Sequence, residues 1–421
     1  MLTSNTIYES EMSKLSERQK QIHEEFYRRF EADSDKLYFL KNPIFLLRWL
    51  RARKFDINKA EAMLREHLKY RKVMHLDDES PVKKIAINPQ FAKYFTRGDF
   101  GQDNEGRPVV YFPFGGIDPK GTIKAHKESR HASLLSSFKG SQMLLTMLIW
   151  QEETRLLCEQ LSKEKQKCIF QAIYVLDLKG IGSQHLWKPG VDIFLQIASN
   201  LEQHAPEILY KLYVINAPNI FNVIYSIIRP VLDENTKRKI QILGDDYKEA
   251  LQKDIPAKYI PAYYGGHCYG NNNDPKCTHK ISYGGLVPRE LYFNDCYRPA
   301  DIQEITIGRQ SQKLIPLHVT KSNSVLNWYI KSTSNQDIGV GIYFTTDQSL
   351  TSVDEMEMIT PYFRLQMHMV PEFGSLKVEK NGYYHLRLNN SYSTFFSKQL
   401  LYHFSVSTET KENGDKNNSA K

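Results

Sequence analysis

Residues 206–266 read PEILYKLYVINAPNIFNVIYSIIRPVLDENTKRKIQILGDDYKEALQKDIPAKYIPAYYGG. This stretch predicts an apolar strand at 212–215, a helix at 220–232 and a basic cluster at 237–239. Apolar residues cover both sides of the helix, which is too short to span a bilayer because spanning takes about 20 residues. Two interpretations stay open from the residues alone: a core helix packed on both sides, or a lid over a cavity that meets an anionic membrane surface.

Composition and charge indicate a folded soluble protein with anionic partners. The chain has 421 residues, enough for two or three domains, with 41% hydrophobic and 25% charged residues. A formal charge of +8 and a pI near 8.9 favour a membrane surface, phosphorylated headgroups or nucleic acid. We find no secretory signal, no membrane-spanning run and no lipidation motif, and so expect a cytosolic protein that associates peripherally with membranes.

Helices and strands follow one another in a regular order through the first two thirds of the chain. Residues 11–74 are predicted to be helical, with Asn42 and Pro43 at one helix start. Apolar strands are then predicted at 107–112, 172–176 and 212–215, with helical segments between them. Such alternation predicts a mixed or largely parallel sheet covered by helices.

Three further motifs stand in order: LLRWLRARKFDINKAEAML at 46–64, YVLDLKGIG at 174–182 and HLWKP at 185–189. With residues 206–266 they resemble the CRAL-TRIO lipid-binding family, which includes the yeast phosphatidylinositol/phosphatidylcholine transfer protein. HLWKP resembles the animal subfamily related to supernatant protein factor, also called tocopherol-associated protein. The resemblance implies a small helical domain before an α/β domain, whose mixed sheet floors a lipid cavity closed by a lid helix.

The resemblance also implies a function. We expect a non-enzymatic protein that takes up a phosphatidylinositol-type phospholipid, tocopherol or a squalene-like isoprenoid and exchanges it at membranes, with no cofactor. The alternative is a lipid-sensing scaffold that regulates a partner. No G-x-S-x-G, Walker A, G-x-G-x-x-G or H-E-x-x-H motif supports an enzyme, and no recognised module supports nucleic-acid binding.

Period-two patterns dominate the last third of the chain. Alternating apolar residues at 326–331, 338–344, 384–388 and 400–406 predict a β-sandwich. The segment GYYHLRLNNSYS, 382–393, resembles the end of a GOLD (Golgi dynamics) domain, although Asn389 stands where that family more often has an acid. This resemblance suggests a protein partner and association with Golgi or endoplasmic reticulum membranes.

The patterns together predict five segments. They are an N-terminal helical domain at 1–75, a CRAL-TRIO domain at 76–266, a linker at 267–285, a GOLD β-sandwich at 286–407 and a disordered tail at 408–421.

A lipid headgroup site is implied by positions that match the family's motifs. The candidates are Glu207, Thr236, Lys239, Arg51 and Arg53. An ammonium and a hydroxyl can satisfy phosphate oxygens, and a carboxylate can accept hydrogen bonds from inositol hydroxyls. Ile208 replaces the arginine of the yeast-type proteins, which predicts reduced phosphoinositide affinity. Surface or helix-capping roles for Glu207, Thr236 and Lys239 remain open.

The apolar wall of the cavity is assigned to six residues, for which general core packing is the alternative. They are Tyr111, Val175, Phe221, Ile224, Tyr225 and Ile228.

Cysteine and histidine residues crowd the segment after the predicted lipid domain, so a zinc site must be considered. The residues are His267, Cys268, Cys277, His279 and Cys296. Their spacing lacks the C-x2-C pairs of common structural zinc sites. Reduced cysteines in a linker, with no metal, are the preferred interpretation.

Overall fold

The computed structural model describes residues 6–77, 93–124, 142–292 and 298–408. The chain divides into two units, one comprising Met1–Ser129 with Gln142–Phe293 and the other comprising Arg130–Ser141 with Asn294–Lys421. Residues 409–421, most of the predicted disordered tail, lie outside the described residues. The five domain boundaries drawn from the sequence therefore stay predictions.

Helices open the first unit, as the sequence predicts. They are α1 (Thr6–Met12), α2 (Glu17–Arg29), α3 (Glu31–Ser34), α4 (Pro43–Ala52) and α5 (Ile57–Val73). Helix α4 begins where expected: the Asn42 side chain accepts a hydrogen bond from the Ile44 amide at 3.0 Å, and Pro43 occupies the first helical position. Apolar residues of α2, α4 and α5, among them Phe26, Trp49 and Leu64, form one buried cluster.

A six-stranded mixed sheet forms the centre of the first unit. Its strands are β1 (Thr96–Gln102), β2 (Pro108–Phe112), β3 (Ala172–Asp177), β4 (Leu209–Ile215), β5 (Ile240–Ile242) and β6 (Ser282–Tyr283). Their spatial order is β5-β4-β3-β2-β1-β6. Strands β2 to β5 run parallel, whereas β1 pairs antiparallel with both β2 and β6. The predicted mixed sheet is confirmed.

Among the residues that the structure describes, six helices accompany this sheet. They are α6 (Pro119–Lys124), α7 (Gln142–Lys165), α8 (Lys188–His204), α9 (Phe221–Ile228), α10 (Glu234–Lys239) and α11 (Tyr247–Asp254). Across the described parts of the chain, no helix combines the length and apolar character that crossing a membrane would take.

The two faces of the sheet bury different residues, because successive side chains of a strand point to opposite sides. One face carries Val175 and Tyr213 and packs against Leu251 of α11 and against Ile260. The other face carries Val214 and packs against α9 and the turn after β3. The cleft described below lies on this second face.

Residues 267–285, described as a linker from the sequence, pack onto the first unit. Cys277 and Ile281 are fully buried, and Ile281 joins the core cluster on the α11 side of the sheet. Strand β6 lies in the same segment and completes the sheet edge. The segment is rich in Gly, Asn and Pro because its path is irregular, yet its apolar residues complete the core.

Two antiparallel sheets build the second unit. One contains β8 (Gln312–Val319), β10 (Ile338–Thr345), β11 (Glu357–Met358), β12 (Phe363–Leu365) and β14 (Gly382–Asn389), and the other contains β7 (Gln303–Ile307), β9 (Ser324–Ser332), β13 (Glu372–Val378) and β15 (Lys398–Thr408). Trp328 of β9 and Leu386 of β14 are buried, one from each sheet. The predicted C-terminal β-sandwich architecture is confirmed.

A buried charge cluster connects α5 with α7. The Arg71 guanidinium donates to both oxygens of Glu152, at 2.9 and 3.0 Å, and Arg155 donates to the same carboxylate. Burial alone would raise the pKa of Glu152, but the two guanidinium groups lower it to about 2. The carboxylate therefore stays ionised and compensates two buried cations.

We predict that Glu152→Ala destabilises the first unit by about 2 to 3 kcal/mol, because it removes the carboxylate shared by Arg71 and Arg155, which keep Asp77 and Glu159 as their remaining partners. Urea unfolding followed by circular dichroism measures the change. Glu164→Ala, at an exposed position of the same helix, is the control and should shift the midpoint little. An equally small shift for both variants would show that the cluster contributes nothing to stability.

Candidate functional site

An apolar cleft lies between the sheet and helices α6 to α9. Its cavity volume is ≈ 80 Å³, which is more than the space that one or two water molecules need. Its walls are formed by Phe95, Phe114, Ile117, Pro119, Ile123, Met147, Leu176, Leu178, Ile181, His185, Gly190, Val191, Ile193, Phe194, Ile197, Phe221, Ile224 and Ile228. Apart from His185 the side chains are apolar, which suits a hydrocarbon ligand.

Helix α9 forms one wall of this cleft, and we call it the lid helix. Phe221 and Ile228 are buried, and both line the cleft together with Ile224. On its outer side, Val223 is 51% and Ile227 is 39% exposed. One face thus covers apolar space, while the other presents apolar side chains to solvent. This distribution explains why the helix looks apolar all round in the sequence.

The start of the lid helix is tied to the sheet through Asp177 at the end of β3. Its carboxylate accepts hydrogen bonds from the Asn216 side chain at 2.8 Å, the Tyr264 hydroxyl at 3.0 Å and the Lys179 amide at 3.0 Å. Asn216 follows β4 in a left-handed conformation (φ 53°), a conformation that asparagine tolerates better than most residues. Burial, and then Asp177, raise the pKa of Tyr264 far above its usual range.

Four of the six residues assigned to the cavity wall lie on or near this helix. Phe221, Ile224 and Ile228 line the cleft. The Tyr225 ring stacks on Phe221 with 5.8 Å between ring centroids and is half-buried.

Tyr111 and Val175 lie on the opposite face of the sheet, in the core next to α11. The hydroxyl of Tyr111 donates to the Tyr259 carbonyl at 2.9 Å. Because strand side chains alternate, Leu176, the neighbour of Val175, lines the cleft instead. The apolar strand β3 gives no alternating pattern from which its cleft side could be predicted.

Two of the candidate headgroup residues form an ion pair. Lys239 Nζ lies 3.0 Å from Glu207 Oε2, and the Asn235 side chain donates to Glu207 Oε1 at 2.6 Å. Glu207 adopts a left-handed backbone conformation (φ 58°), which places it at the entry to β4 and not in a helix. Asn235, which the sequence does not single out, completes this group from the first turn of α10.

Thr236 lies in the same short helix but has other partners. Its amide donates to the Asp233 carboxylate at 2.9 Å, and its side chain hydrogen-bonds the carboxyl group of Glu202. Burial, and then Asp233, raise the pKa of Glu202. Carboxylates therefore surround Lys239 and Thr236, an arrangement that suits hydroxyl donors better than a phosphate, which has to compete for the lysine.

Arg51 and Arg53 make contacts elsewhere. Arg51 pairs with Glu11 at 3.3 Å, and Arg53 donates to the Ala52 carbonyl. The arginine that reaches the Glu207 segment is Arg48, whose Nε donates to the Pro206 carbonyl at 2.8 Å. Burial lowers the pKa of Arg48 to about 10. Its place within the apolar run LLRWL is the sequence signal that distinguishes it from the other two.

Comparison with known proteins shows which family the chain matches. Residues 94–266 match the description "CRAL/TRIO domain", and residues 10–66 match "CRAL/TRIO, N-terminal domain". Protein ctg-1 of Caenorhabditis elegans is 30% identical over 368 residues, which cover 87% of this chain and 91% of that protein. The chain belongs to the CRAL-TRIO family. Members of this family are typically lipid-binding and lipid-transfer proteins.

Other similarities are more limited. Protein real-time of Aedes aegypti is 30% identical over 325 residues, covering 72% of this CRAL-TRIO chain but only 46% of that protein. A crystal structure of Sfh5 aligns with a TM-score of 0.39 and 15% identity, over 67% of this chain and 93% of that one. Residues 295–417 match "F28H7_8_C:-like, C-terminal domain". That description does not name a GOLD domain, so the GOLD assignment stays a prediction.

Cys268 and Cys277, two of the cysteines after the CRAL-TRIO domain, lie close together. Cys268 Sγ and Cys277 Sγ are 3.5 Å apart, and burial raises the pKa of Cys277 to about 12. Within residues 6–77, 93–124, 142–292 and 298–408, no group of three or more potential metal ligands occurs. Cys296, the remaining member of the candidate zinc set, lies outside the described residues.

A second, smaller cavity lies between the N-terminal helices and α7 and α8. Its volume is about 30 Å³, and it is lined by Arg48, Trp49, His67 and His204 among others. The Nδ1 atoms of both histidines and the Trp49 Nε1 lack a hydrogen-bond partner within the described protein. The size and polarity suit one or two water molecules, so this cavity is unlike the apolar cleft.

The buried histidines predict an acid-sensitive fold. Burial lowers the pKa of His204 from 6.5 to about 4, so the unfolded chain binds a proton that the folded chain excludes. Stability should therefore fall by about 3 kcal/mol as the pH falls from about 6.5 to about 4. His67, whose pKa burial also lowers, contributes in the same direction.

His204→Leu should reduce the pH dependence of the free energy of unfolding between about pH 6.5 and about pH 4. Urea unfolding at several pH values measures it. His279→Leu, at an exposed position, serves as the control and should keep the original slope. If the His204 variant keeps the original pH dependence of stability, His204 is not its source.

Proposed function

We propose that this protein is a lipid carrier, which takes up a hydrophobic ligand in the apolar cleft and exchanges it at membranes. The single observation that supports this most is the lid helix, whose inner face lines the cleft and whose outer face presents apolar side chains. A core helix would not expose that outer face. The ligand is a phosphatidylinositol-type phospholipid, tocopherol or a squalene-like isoprenoid.

The energetics of such a carrier follow from the apolar lining. Each methylene of a lipid costs about 0.8 kcal/mol in water, and an apolar cleft removes that cost during transit. Transfer from bilayer to cleft is nearly neutral because both environments are apolar. The barrier is the exposure of the lipid during the move, and it is lowered if the lid helix opens only while in contact with a membrane.

Membrane contact is supported by the composition around the lid helix. Val223, Ile227 and Val231 are exposed apolar residues, and Arg229 and Arg238 are exposed basic residues of the same region. Apolar side chains can enter the interface while each arginine near an anionic surface contributes about 1 kcal/mol. The outer face of the lid helix is then in contact with membrane lipid instead of water.

We predict that changes on the two faces of the lid helix have different effects. Val223→Ser with Ile227→Ser should slow lipid transfer between vesicles about tenfold, because less apolar surface enters the membrane. Ligand occupancy, measured by native mass spectrometry, should stay unchanged. Ile224→Asp with Ile228→Asp should lose both occupancy and transfer, because two carboxylates enter the apolar cleft.

The exposed residue Ser226 of the same helix offers a control. Ser226→Ala should leave both transfer and occupancy at the original level, since it changes little apolar area. Normal transfer by the variant with Asp at 224 and 228 would show that α9 is not a lid.

Headgroup contact by Glu207, Thr236 and Lys239 is a further part of this proposal, with Arg51 and Arg53 as the weaker candidates. It is supported by the ion pair between Glu207 and Lys239 and by the adjacent Asn235. An inositol ring could donate to the carboxylates of this group while its phosphate binds Lys239.

We predict that Lys239→Ala reduces transfer of phosphatidylinositol about tenfold and leaves transfer of tocopherol unchanged, because only the former carries a phosphate. Lys237→Ala is the matched control: Lys237 lies in the same helix but pairs with Glu234. Equal loss for both lipids would indicate a structural role for Lys239 and would remove the headgroup assignment.

The alternative is a lipid-sensing scaffold that acts through the C-terminal unit, at Golgi or endoplasmic reticulum membranes if the GOLD resemblance holds. Native mass spectrometry of protein purified from a eukaryotic host identifies the bound lipid. Exchange of that lipid with labelled vesicles then separates the two functions. A carrier exchanges it, whereas a sensor retains it.

A further inference from the structure

Two phenylalanines project from one end of the second unit. The loop between β14 and β15, residues 390–397, carries Phe395 at 79% and Phe396 at 58% exposure. Apart from Tyr392, whose hydroxyl donates to the Asp337 carbonyl, their neighbours in the loop are small and polar: Ser391, Ser393, Thr394 and Ser397. Leaving two adjacent aromatic rings in water is unfavourable, so their position calls for an explanation.

The loop is held in this shape by a buried asparagine. Asn390 is 0% exposed, and its side-chain amide donates to the carbonyls of Gly308 at 2.9 Å and Phe396 at 2.8 Å. Its backbone amide donates to the Ser311 carbonyl at 2.8 Å. A second bond runs from the Gln310 amide to the Ser393 carbonyl at 3.0 Å. The two rings are therefore presented outward by a preorganised loop.

Basic side chains predominate at this end of the unit. The exposed Arg309 lies in the turn between β7 and β8 that hydrogen-bonds the loop. Arg364, whose side chain is 41% exposed, and the buried Lys398 both contact Asp337, whose backbone carbonyl accepts from the Tyr392 hydroxyl. Over residues 308–311, 333–337, 359–371 and 390–398, three basic residues face one acid. The local charge favours an anionic partner.

The small size of the apolar feature favours a membrane over a protein as the partner of this loop. A stable protein interface buries about 800 Å² on each partner, whereas this feature consists of two rings on an otherwise polar loop. Aromatic rings beside basic residues are typical of segments that enter the interface of a bilayer, where the rings contact acyl chains and the cations contact headgroups. Two rings are sufficient for that contact.

We propose that the loop of residues 390–397 is a membrane anchor that inserts Phe395 and Phe396 into an anionic bilayer, with Arg309 at the headgroups. This contact belongs to the second unit and is separate from the lid helix. It is independent of which lipid the cleft carries.

The test uses the full chain and sedimentation with phosphatidylcholine vesicles, with and without phosphatidylserine. Phe395→Ser with Phe396→Ser should weaken binding to the anionic vesicles about tenfold. Tyr269→Ser with Leu286→Ser is the control: these residues are 58% and 85% exposed, and the loss of similar apolar area there should leave binding unchanged. Binding of the phenylalanine variant at the original strength would overturn the proposal.

Two further variants refine the result. Arg309→Gln should reduce binding to anionic vesicles about fivefold and leave binding to pure phosphatidylcholine unchanged. Phe396→Trp should show a blue-shifted emission on vesicles beyond that of the four native tryptophans. No shift would place the ring in water and overturn insertion. Ligand occupancy should remain normal in every variant, which separates failure of this anchor from failure of the carrier function.

Discussion

The carboxylate of Asp177 connects the segments on which the cleft depends. It lies at the end of β3 and binds Asn216, which precedes the lid helix, and Tyr264, which belongs to the core on the opposite face of the sheet. A buried carboxylate is stable only when its oxygens are hydrogen-bonded, so this arrangement constrains all three segments together. Loss of any partner removes one of these hydrogen bonds before the start of the lid helix.

Around this point the two faces of the sheet have different roles. The face toward α11 is filled with aromatic and aliphatic side chains, with Tyr111 and Tyr264 stacked at 5.8 Å between ring centroids. The face toward the lid helix leaves space that no side chain fills. One face gives the unit a close-packed core, and the other gives it room for a ligand. A CRAL-TRIO domain thus combines stability and binding in a single sheet.

The buried polar clusters lie away from the apolar cleft. The cluster of Arg71, Glu152 and Arg155 and the cavity of His67 and His204 lie beside the N-terminal helices. There the ion pair of Arg71 and Glu152 fixes α5 onto α7 through directional hydrogen bonds. The cleft itself has His185 as its polar side chain. A hydrocarbon ligand would therefore meet an environment that costs little to enter, and the polar cluster at Glu207 and Lys239 is the proposed source of headgroup specificity.

The sequence by itself determined the order of helices and strands, the mixed sheet, the C-terminal β-sandwich and the apolar character of the lid helix, because these depend on local periodicity and on capping residues such as Asn42 and Pro43. Only the tertiary structure decided that Leu176 and not Val175 faces the cleft, that Arg48 and not Arg51 reaches Pro206, and that Phe395 stands in solvent. Those outcomes depend on which neighbour each side chain meets. A buried strand has no polar face to indicate its direction, and the sequence does not show which backbone carbonyl a buried arginine such as Arg48 reaches.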